Sequence, residues 1–211
     1  PAQKFIEWSG SEGKFKYYDK EKKENVFIEL PFYFLPLDQL STTKGYDEKA
    51  GLGFYSNEIR NTKTDMLTVR TKNGVVMTGL YENVKEKLSS RGLDYVQSVY
   101  VAIKEGKNYV LANLQLKGAA CQAYGDFTAK TRSRLTDEWV VVDKAVEGKK
   151  GAVKYYTPEF KFDKSLSEDE SVMADDTFRI LETYLKAYLV KAEPVLDIDN
   201  VPIEDEDDLE F

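Results

Sequence analysis

The segment DMLTVRTKNGVVMTGL, residues 65–80, constrains the fold more than any other stretch of the chain. Two runs rich in β-branched residues flank Asn73-Gly74, a dipeptide that favours the tight type I′ turn of a β-hairpin. Comparable pairs of β-rich runs around polar or glycine-containing turns recur at 14–37, 94–116 and 139–162. The chain is therefore predicted to be mainly β.

One segment between these hairpins has a helical pattern. In residues 81–93, Val84 and Leu88 lie four apart and Gly92 stands where a helix would end. The predicted order is thus several strands, one helix and two further strands. A five-stranded OB-fold barrel has this order, with its helix between the third and fourth strands. We therefore predict an OB-fold barrel.

The remaining segments extend this barrel. Residues 38–64 are predicted to form a long loop with a short strand near 53–59, and 117–138 to be helical in part. The hairpin at 139–162 is an addition, and 167–192 predicts a C-terminal helix whose apolar stripe is Phe178, Leu181, Leu185 and Leu189. Residues 1–192 are assigned to one domain.

The net charge of −7 is unevenly distributed along the sequence. Residues 193–211 hold nine acids and no base, so the other 28 acids face 30 bases, and the body carries about +2. A run of carboxylates with few apolar residues predicts a disordered, flexible acidic tail. The sequence thus joins a mildly basic body to a strongly acidic end.

The composition removes most catalytic chemistry. There is no histidine, so histidine-dependent triads and the commonest metal ligand are absent, and one cysteine excludes thiolate zinc sites. The glycines of GLGFYSN, residues 51–57, lack the spacing of a phosphate-binding loop. We predict a protein that is not an enzyme and has no cofactor or metal, with Cys121 as a small packed side chain. A hydrolase with paired carboxylates stays open as an alternative.

The body has the two ingredients of a site for single-stranded nucleic acid, which are flat aromatic rings for the bases and cations for the phosphates. Strand alternation predicts outward-facing rings at Phe27, Tyr33, Tyr55, Tyr100 and Tyr109. The nearby cations are Arg60, Lys63, Arg70, Lys72, Lys104 and Lys107, with Arg70 and Lys72 on one face of a strand. The alternative is that these tyrosines fill half-buried strands and the lysines protect sheet edges.

A second basic element is KTRSR, residues 130–134. If this segment is extended, Lys130, Arg132 and Arg134 share one side and can follow a phosphate backbone. A solvated linker is the alternative. Stacking and phosphate contacts carry little base information, so either set predicts binding without sequence specificity.

Three segments of the chain are similar to segments of a known protein family. The tail EDEDDLEF, residues 204–211, and the segments at 30–74 and 114–127 resemble the single-stranded-DNA-binding proteins of bacteria and tailed bacteriophages, the phage type more closely. The resemblance implies an OB-fold protein that coats single-stranded DNA in phage DNA replication, recombination and repair. It also implies that the tail recruits replication or recombination proteins, and that the tail competes with DNA for the basic groove.

The tail residues that match this family are the acids and the terminal aromatic, namely Glu204, Asp205, Glu206, Asp207, Asp208, Glu210 and Phe211, and Leu209 is a further candidate for partner binding. Carboxylates steer a segment towards a basic surface, and a terminal aromatic can anchor it in an apolar pocket. The bacterial tail typically has a proline before its last aromatic and this chain has Glu210, so recognition by a bacterial host's tail-binding pockets does not follow. A purely solubilising tail is the alternative.

The sequence also predicts the setting of the protein. It has no signal-peptide pattern and no apolar stretch of roughly 20 residues, so we predict a soluble protein of the cytoplasm, the host cytoplasm if it is phage-encoded. The expected partners are single-stranded DNA and tail-bound proteins, with no membrane, and homo-oligomerisation is left open. The competing hypothesis is a protein-interaction adaptor, or an acidic DNA mimic, without DNA affinity of its own.

Overall fold

The computed structural model describes residues 2–192, and every structural statement below concerns that range. The prediction of a mainly β chain is confirmed, since this range contains eleven strands and three α-helices. The strands are β1 (Lys4–Ser9), β2 (Lys14–Asp19), β3 (Glu24–Ile28), β4 (Phe32–Asp47), β5 (Leu52–Ser56), β6 (Leu67–Thr71), β7 (Gly74–Gly79), β8 (Leu93–Glu105), β9 (Asn108–Lys117), β10 (Glu138–Lys150) and β11 (Val153–Ser165). The helices are α1 (Tyr81–Ser90), α2 (Gly118–Thr131) and α3 (Glu168–Ala192).

The strands form one mixed sheet that is not closed. Its order is β3-β2-β1-β9-β8-β4-β5-β6-β7, and β10 pairs with both β11 and the start of β4. β1 and β9 are parallel, whereas the other neighbouring strands are antiparallel. β4 is 16 residues long, so it pairs with β10 near its start, with β8 along most of its length and with β5 at its end.

The sheet curls tightly around its main core. β2 and β4 are four steps apart in the strand order, which would separate them by roughly 19 Å in a flat sheet. Yet the rings of Phe15 on β2 and Phe32 on β4 have centroids 4.8 Å apart. The concave side, called the inner face below, also carries Phe34, Val101 and Leu114, and it is closed by Tyr124 of α2 and Phe160 of β11.

The second β-rich run of residues 14–37 is divided between two strands. Proline has no backbone N–H for the sheet ladder, so β3 ends at Ile28, before Pro31, and β4 begins at Phe32. The predicted loop at 38–64 is also wrong in its first part, because β4 continues to Asp47. Glycine is required at position 45 of this strand because a side chain would collide with the backbone of Gly92 and Leu93.

The other element predictions are confirmed. The structure has hairpins at β6–β7, β8–β9 and β10–β11, and Val84 and Leu88 are the buried residues of α1. α3 spans the predicted C-terminal helix with Leu181 and Leu185 buried, but Phe178 is 38% exposed because it lies beside the contact line. Over residues 2–192, no helix is long and apolar enough to cross a membrane.

Candidate nucleic-acid interface

The convex side of the curled sheet, called the outer face below, can be traced strand by strand from the pairing register. Glu7 of β1 lies opposite Lys16 of β2, which lies opposite Phe27 of β3. On its other side Glu7 lies opposite Gln115 of β9. The Lys44 ammonium donates hydrogen bonds to both Glu7 and Gln115, so the second half of β4 belongs to the same face.

Besides Tyr33, which lines the cavity described below, five large aromatic side chains lie exposed on this face. They are Phe5 (57% exposed), Tyr18 (57%), Phe27 (44%), Tyr46 (58%) and Tyr55 (54%). Each comes from a different strand among β1 to β5, and strand register or alternation places each of them on the outer side. Rings exposed to this extent do not pack the core, and an exposed apolar cluster on a folded protein indicates a binding surface.

Cations are interleaved with these rings. Lys44 lies opposite Tyr55, and Tyr55 in turn lies opposite Arg70 of β6. Burial would raise the pKa of the Glu7 carboxyl, but the hydrogen bond and charge of Lys44, with Lys16 and Lys117 nearby, outweigh it and hold that pKa below its ordinary value. Lys44 and Glu7 thus form an ion pair on the outer face, and Lys16 and Lys117 lie close enough to act on the same carboxyl.

Helix α3 covers the middle of the outer face. Leu181 and Leu185 pack on Leu40, Tyr100 and Leu111. This contact divides the outer face, leaving the aromatic residues of β1 to β3 on one side and those of β4 and β5 on the other.

Beside this contact, the carboxylate of Glu58 accepts hydrogen bonds from Ser98, from the Tyr100 hydroxyl at 2.6 Å and from Asn113. The backbone N–H of Glu58 donates to the Tyr188 hydroxyl of α3. Burial, reinforced by the Glu58 charge, raises the pKa of Tyr100. Tyr100 is thus a neutral hydrogen-bond donor that helps to fix Glu58.

Two predicted stacking residues are therefore not exposed. Tyr100 does point to the outer side of β8, as alternation predicts, but α3 covers it and leaves it only 3% exposed. Tyr109 is half-buried, because its ring stacks on Trp139 with centroids 5.9 Å apart. Neither ring can receive a base in this arrangement.

Three other predicted residues meet at a cavity of about 760 Å³. Phe27, Tyr33 and Lys104 line it, together with Pro31 and Lys164. Lys104 forms an ion pair with Glu170 at 3.8 Å, so its charge is partly neutralised. Because Phe27 belongs to both sites, this cavity adjoins the outer face.

The remaining predicted cations are scattered. Arg60 is held by Asp38 in a two-point ion pair with distances of 3.0 and 2.8 Å. Lys63, Lys72 and Lys107 are exposed in turns, so Lys72 lies beyond the end of β6 rather than on the strand with Arg70.

Residues 130–134 do not have the extended geometry on which a shared basic side depended. Lys130 lies on α2, and Arg132 and Arg134 lie in a short 3-10 helix that follows it, so alternate residues do not share a side. Arg134 is also bound to Glu138 and packs over the Phe162 ring. These residues do not form a continuous phosphate track.

Sequence reasoning missed several residues of the outer face, among them Phe5, Tyr18, Tyr46, Lys16 and Lys44. The signal for Phe5 and Tyr18 was present, since Ile6 and Trp8 alternate with Phe5, and Phe15 and Tyr17 alternate with Tyr18. Tyr46 was hidden in the segment predicted as a loop.

The thiol of Cys121 is half-buried against the core, and burial raises its pKa. Within residues 2–192, no three His, Cys, Asp or Glu side chains lie close enough to hold a metal ion. The tail prediction for residues 193–211 lies outside the described residues. A comparison with known proteins found no matching family model, no matching curated protein and no matching solved structure.

Proposed function

We propose that this protein binds single-stranded DNA without sequence specificity and coats it during DNA replication, recombination and repair. The observation that carries the proposal is the outer face, where one group of exposed aromatic rings on β1 to β3 and a second group on β4 and β5 lie among lysine and arginine side chains. Such a surface offers stacking for the bases and charge for the phosphates.

The rings are the larger part of the argument. Base stacking on an aromatic side chain is worth about 1 to 3 kcal/mol per base and works for every base, because each has a flat face. Tyr46 and Tyr55 on β4 and β5, and Phe5 and Tyr18 on β1 and β2, provide two groups of rings for successive bases.

The charge distribution supports the same ligand. The body through residue 192 carries about +2, although the full chain carries −7. Lys16 lies between the rings, as does Lys44, which is paired with Glu7, and Arg70 adds an exposed cation on β6. A phosphate backbone that follows these cations would release counterions, so binding should weaken as salt rises.

The curled sheet also supports the proposed fold type. A partly open barrel fits the strands β2, β1, β9, β8 and β4, because the rings of its two end strands meet at 4.8 Å across the core. We propose that these strands are the counterpart of an OB-fold barrel, with β10 and β11 as the added hairpin.

The test is a fluorescence-anisotropy titration of labelled oligothymidine, at low and at high salt, with the full chain and with a variant that lacks residues 193–211. We expect binding at low salt that weakens with salt, and tighter binding by the variant because nine acids are removed. If neither protein binds at low salt, the proposal fails and the adaptor hypothesis replaces it.

Partner binding is proposed for the tail. Residues 204–211 combine acids with Leu209 and Phe211, which suits capture by a basic surface that has an apolar pocket. A pull-down of replication enzymes with the full chain and with a Phe211→Ala variant tests this part separately, because loss of capture with unchanged DNA binding supports it.

A further inference from the structure

The strands β10 and β11 continue beyond the sheet as a two-stranded arm. β10 pairs with β4 only at residues 140–142, so residues 148–155, called the arm tip below, pair as strands only with each other. The base of the arm is held against the β1–β2 turn. The Tyr156 N–H donates to the Gly10 carbonyl at 2.7 Å, and the Trp8 indole N–H donates to the Tyr156 carbonyl at 2.8 Å. The arm tip therefore has a defined position next to the end of β1.

The arm is rich in lysine. Residues 144–154 hold four lysines and one acid, Glu147. Lys149 lies directly opposite Lys154, which costs stability because like charges on paired strands repel each other. Glu147 forms an ion pair with Lys154 at 3.1 Å, whereas Lys149 and Lys150 are exposed and form no ion pair in the described part of the chain. Protection of a strand edge does not require two lysines opposite each other, so this arrangement favours a bound anion.

The arm tip also carries an aromatic ring beside one of these cations. The register places Tyr155 opposite Gly148, and the ring lies across this glycine, since a side chain at position 148 would come within 2.6 Å of it. Lys150 and Val153 form the next pair on the same side of the arm. A flat ring next to an exposed ammonium group is what a base and its phosphate require.

A hollow of about 450 Å³ connects this side of the arm with the outer face. It is lined by Tyr155 and Lys150 of the arm and by Lys117 at the end of β9. Lys117 follows Gln115 at a spacing of two on the same strand, so both lie on the outer face. The charge of Lys117 also acts on the Glu7 carboxyl. The arm and the outer face are therefore parts of one continuous surface.

We propose that a single strand bound on the outer face continues past Lys117 onto the arm tip. There Tyr155 stacks on a base and Lys150 binds a phosphate, while Lys149 on the other side of the arm adds positive charge. Asp94 pairs with Lys117 at 3.1 Å, but the Lys117 side chain is 54% exposed, so a phosphate can still reach its ammonium group. The inference rests on the proposed function, because it adds a second contact to the same strand.

The test compares two oligothymidines in anisotropy titrations of the full chain at low salt. One has about 8 nucleotides and the other about 16, both within the range that one OB fold covers. The arm variant replaces Lys149, Lys150 and Lys154 by glutamine. We expect it to bind the longer strand roughly tenfold more weakly than the wild type, because phosphate contacts are lost. It should bind the shorter strand nearly as the wild type does, because that strand is filled by the outer face.

A matched control removes three positive charges elsewhere. It replaces Lys85, Lys87 and Arg91, which lie on α1 or directly after it, by glutamine. α1 packs on Phe54, which alternates with the outer-face residue Tyr55, so these cations lie on the inner side of the sheet. The control variant should bind both strands as the wild type does. Circular dichroism of each variant verifies that the fold is kept.

The ring of the arm tip is tested in the same titrations. Tyr155→Ala should bind the longer strand roughly fivefold more weakly, because one stacking surface is removed. Tyr155→Phe keeps the ring and should bind as the wild type does. Equal affinities of Tyr155→Ala and the wild type for the longer strand would overturn the stacking part of the inference.

The outcomes separate this inference from the proposed function. If the wild type binds both strands and the arm variant binds them equally well, the inference is overturned and the proposed function is kept. The arm would then serve another polyanion, such as an acidic segment of a partner protein. Equal losses with the short and the long strand would also overturn it, since the arm would not be an extension of the outer face. If the wild type binds neither strand, the proposed function fails and the inference fails with it.

Discussion

The inner and outer faces of the curled sheet carry the same kinds of aromatic side chain in opposite surroundings. On β2, Phe15 is fully buried and contacts Trp8 and Phe32, whereas Tyr18 is 57% exposed on the other side of the strand. Packing accounts for Phe15 but not for Tyr18, because an exposed ring adds little to stability. The inner rings therefore stabilise the fold, and the proposed role of the outer rings is to stack on the bases of a bound strand.

The largest expected effect is a difference in stability between a variant of the inner face and a variant of the outer face. Phe34→Ala removes a fully buried ring that packs on Phe32 and Phe160, so we expect the free energy of unfolding to fall by about 3 to 5 kcal/mol. Tyr55→Ala on the outer face should change it by less than about 0.5 kcal/mol. Denaturant unfolding of both variants measures this, and equal losses would refute the division.

The next largest expected effect is a loss of DNA affinity in variants of the outer face. Tyr18→Ala and Tyr55→Ala should each weaken oligothymidine binding by about 1 to 3 kcal/mol, because each removes one stacking surface. Tyr55→Phe keeps the ring and should bind nearly as the wild type does. Anisotropy titrations measure these affinities. If Tyr55→Ala binds oligothymidine as tightly as the wild type, Tyr55 is not part of the DNA interface.

A smaller effect should distinguish two arginines. Arg70 is exposed opposite Tyr55, so Arg70→Ala should reduce the slope of log affinity against log salt by about 0.7, the value for one phosphate contact on a single strand. Arg60 is bound by Asp38, so Arg60→Ala should leave the slope unchanged. Titrations at several salt concentrations provide both slopes, and equal slopes in the two variants would contradict the assignment.

The smallest effect is a pH dependence of stability on the outer face. The pKa of Glu7 is lowered by Lys44, Lys16 and Lys117, so ionised Glu7 stabilises the fold above its ordinary pKa of 4.5. This contribution is lost as pH falls through the lowered pKa. We expect wild-type stability to exceed that of Glu7→Gln near neutral pH and the difference to shrink in acid. A stability difference between the two proteins that grows in acid would contradict a lowered pKa of Glu7.

Much of the fold could be predicted from the sequence because its signals are local. Three such signals are the Asn73-Gly74 turn, the spacing of Val84 and Leu88, and the alternation of Val99 and Val101 with Tyr100. Each one predicts an element within a few residues of itself. The curl of the sheet and the parallel pairing of β1 with β9 could not be predicted, since they join residues about a hundred positions apart.

The candidate site was harder to predict for two physical reasons. A register shift between Pro36 and Asp38 turns the even-numbered residues of β4 from the inner face, which holds Phe34, to the outer face, which holds Tyr46. Alternation read without this bulge assigns the wrong side. Tyr100 shows the second reason, because a residue that points outward is still buried when a helix distant in sequence covers it.

The central claim is that the outer face binds single-stranded DNA. Ultraviolet cross-linking of the full chain to oligothymidine, followed by mass spectrometry of the cross-linked peptides, tests it most directly. The account predicts cross-links at Phe5, Tyr18, Tyr46 or Tyr55, with none at the buried Phe15 and Phe34. Cross-links confined to residues 130–134, or no cross-links at all, would contradict it.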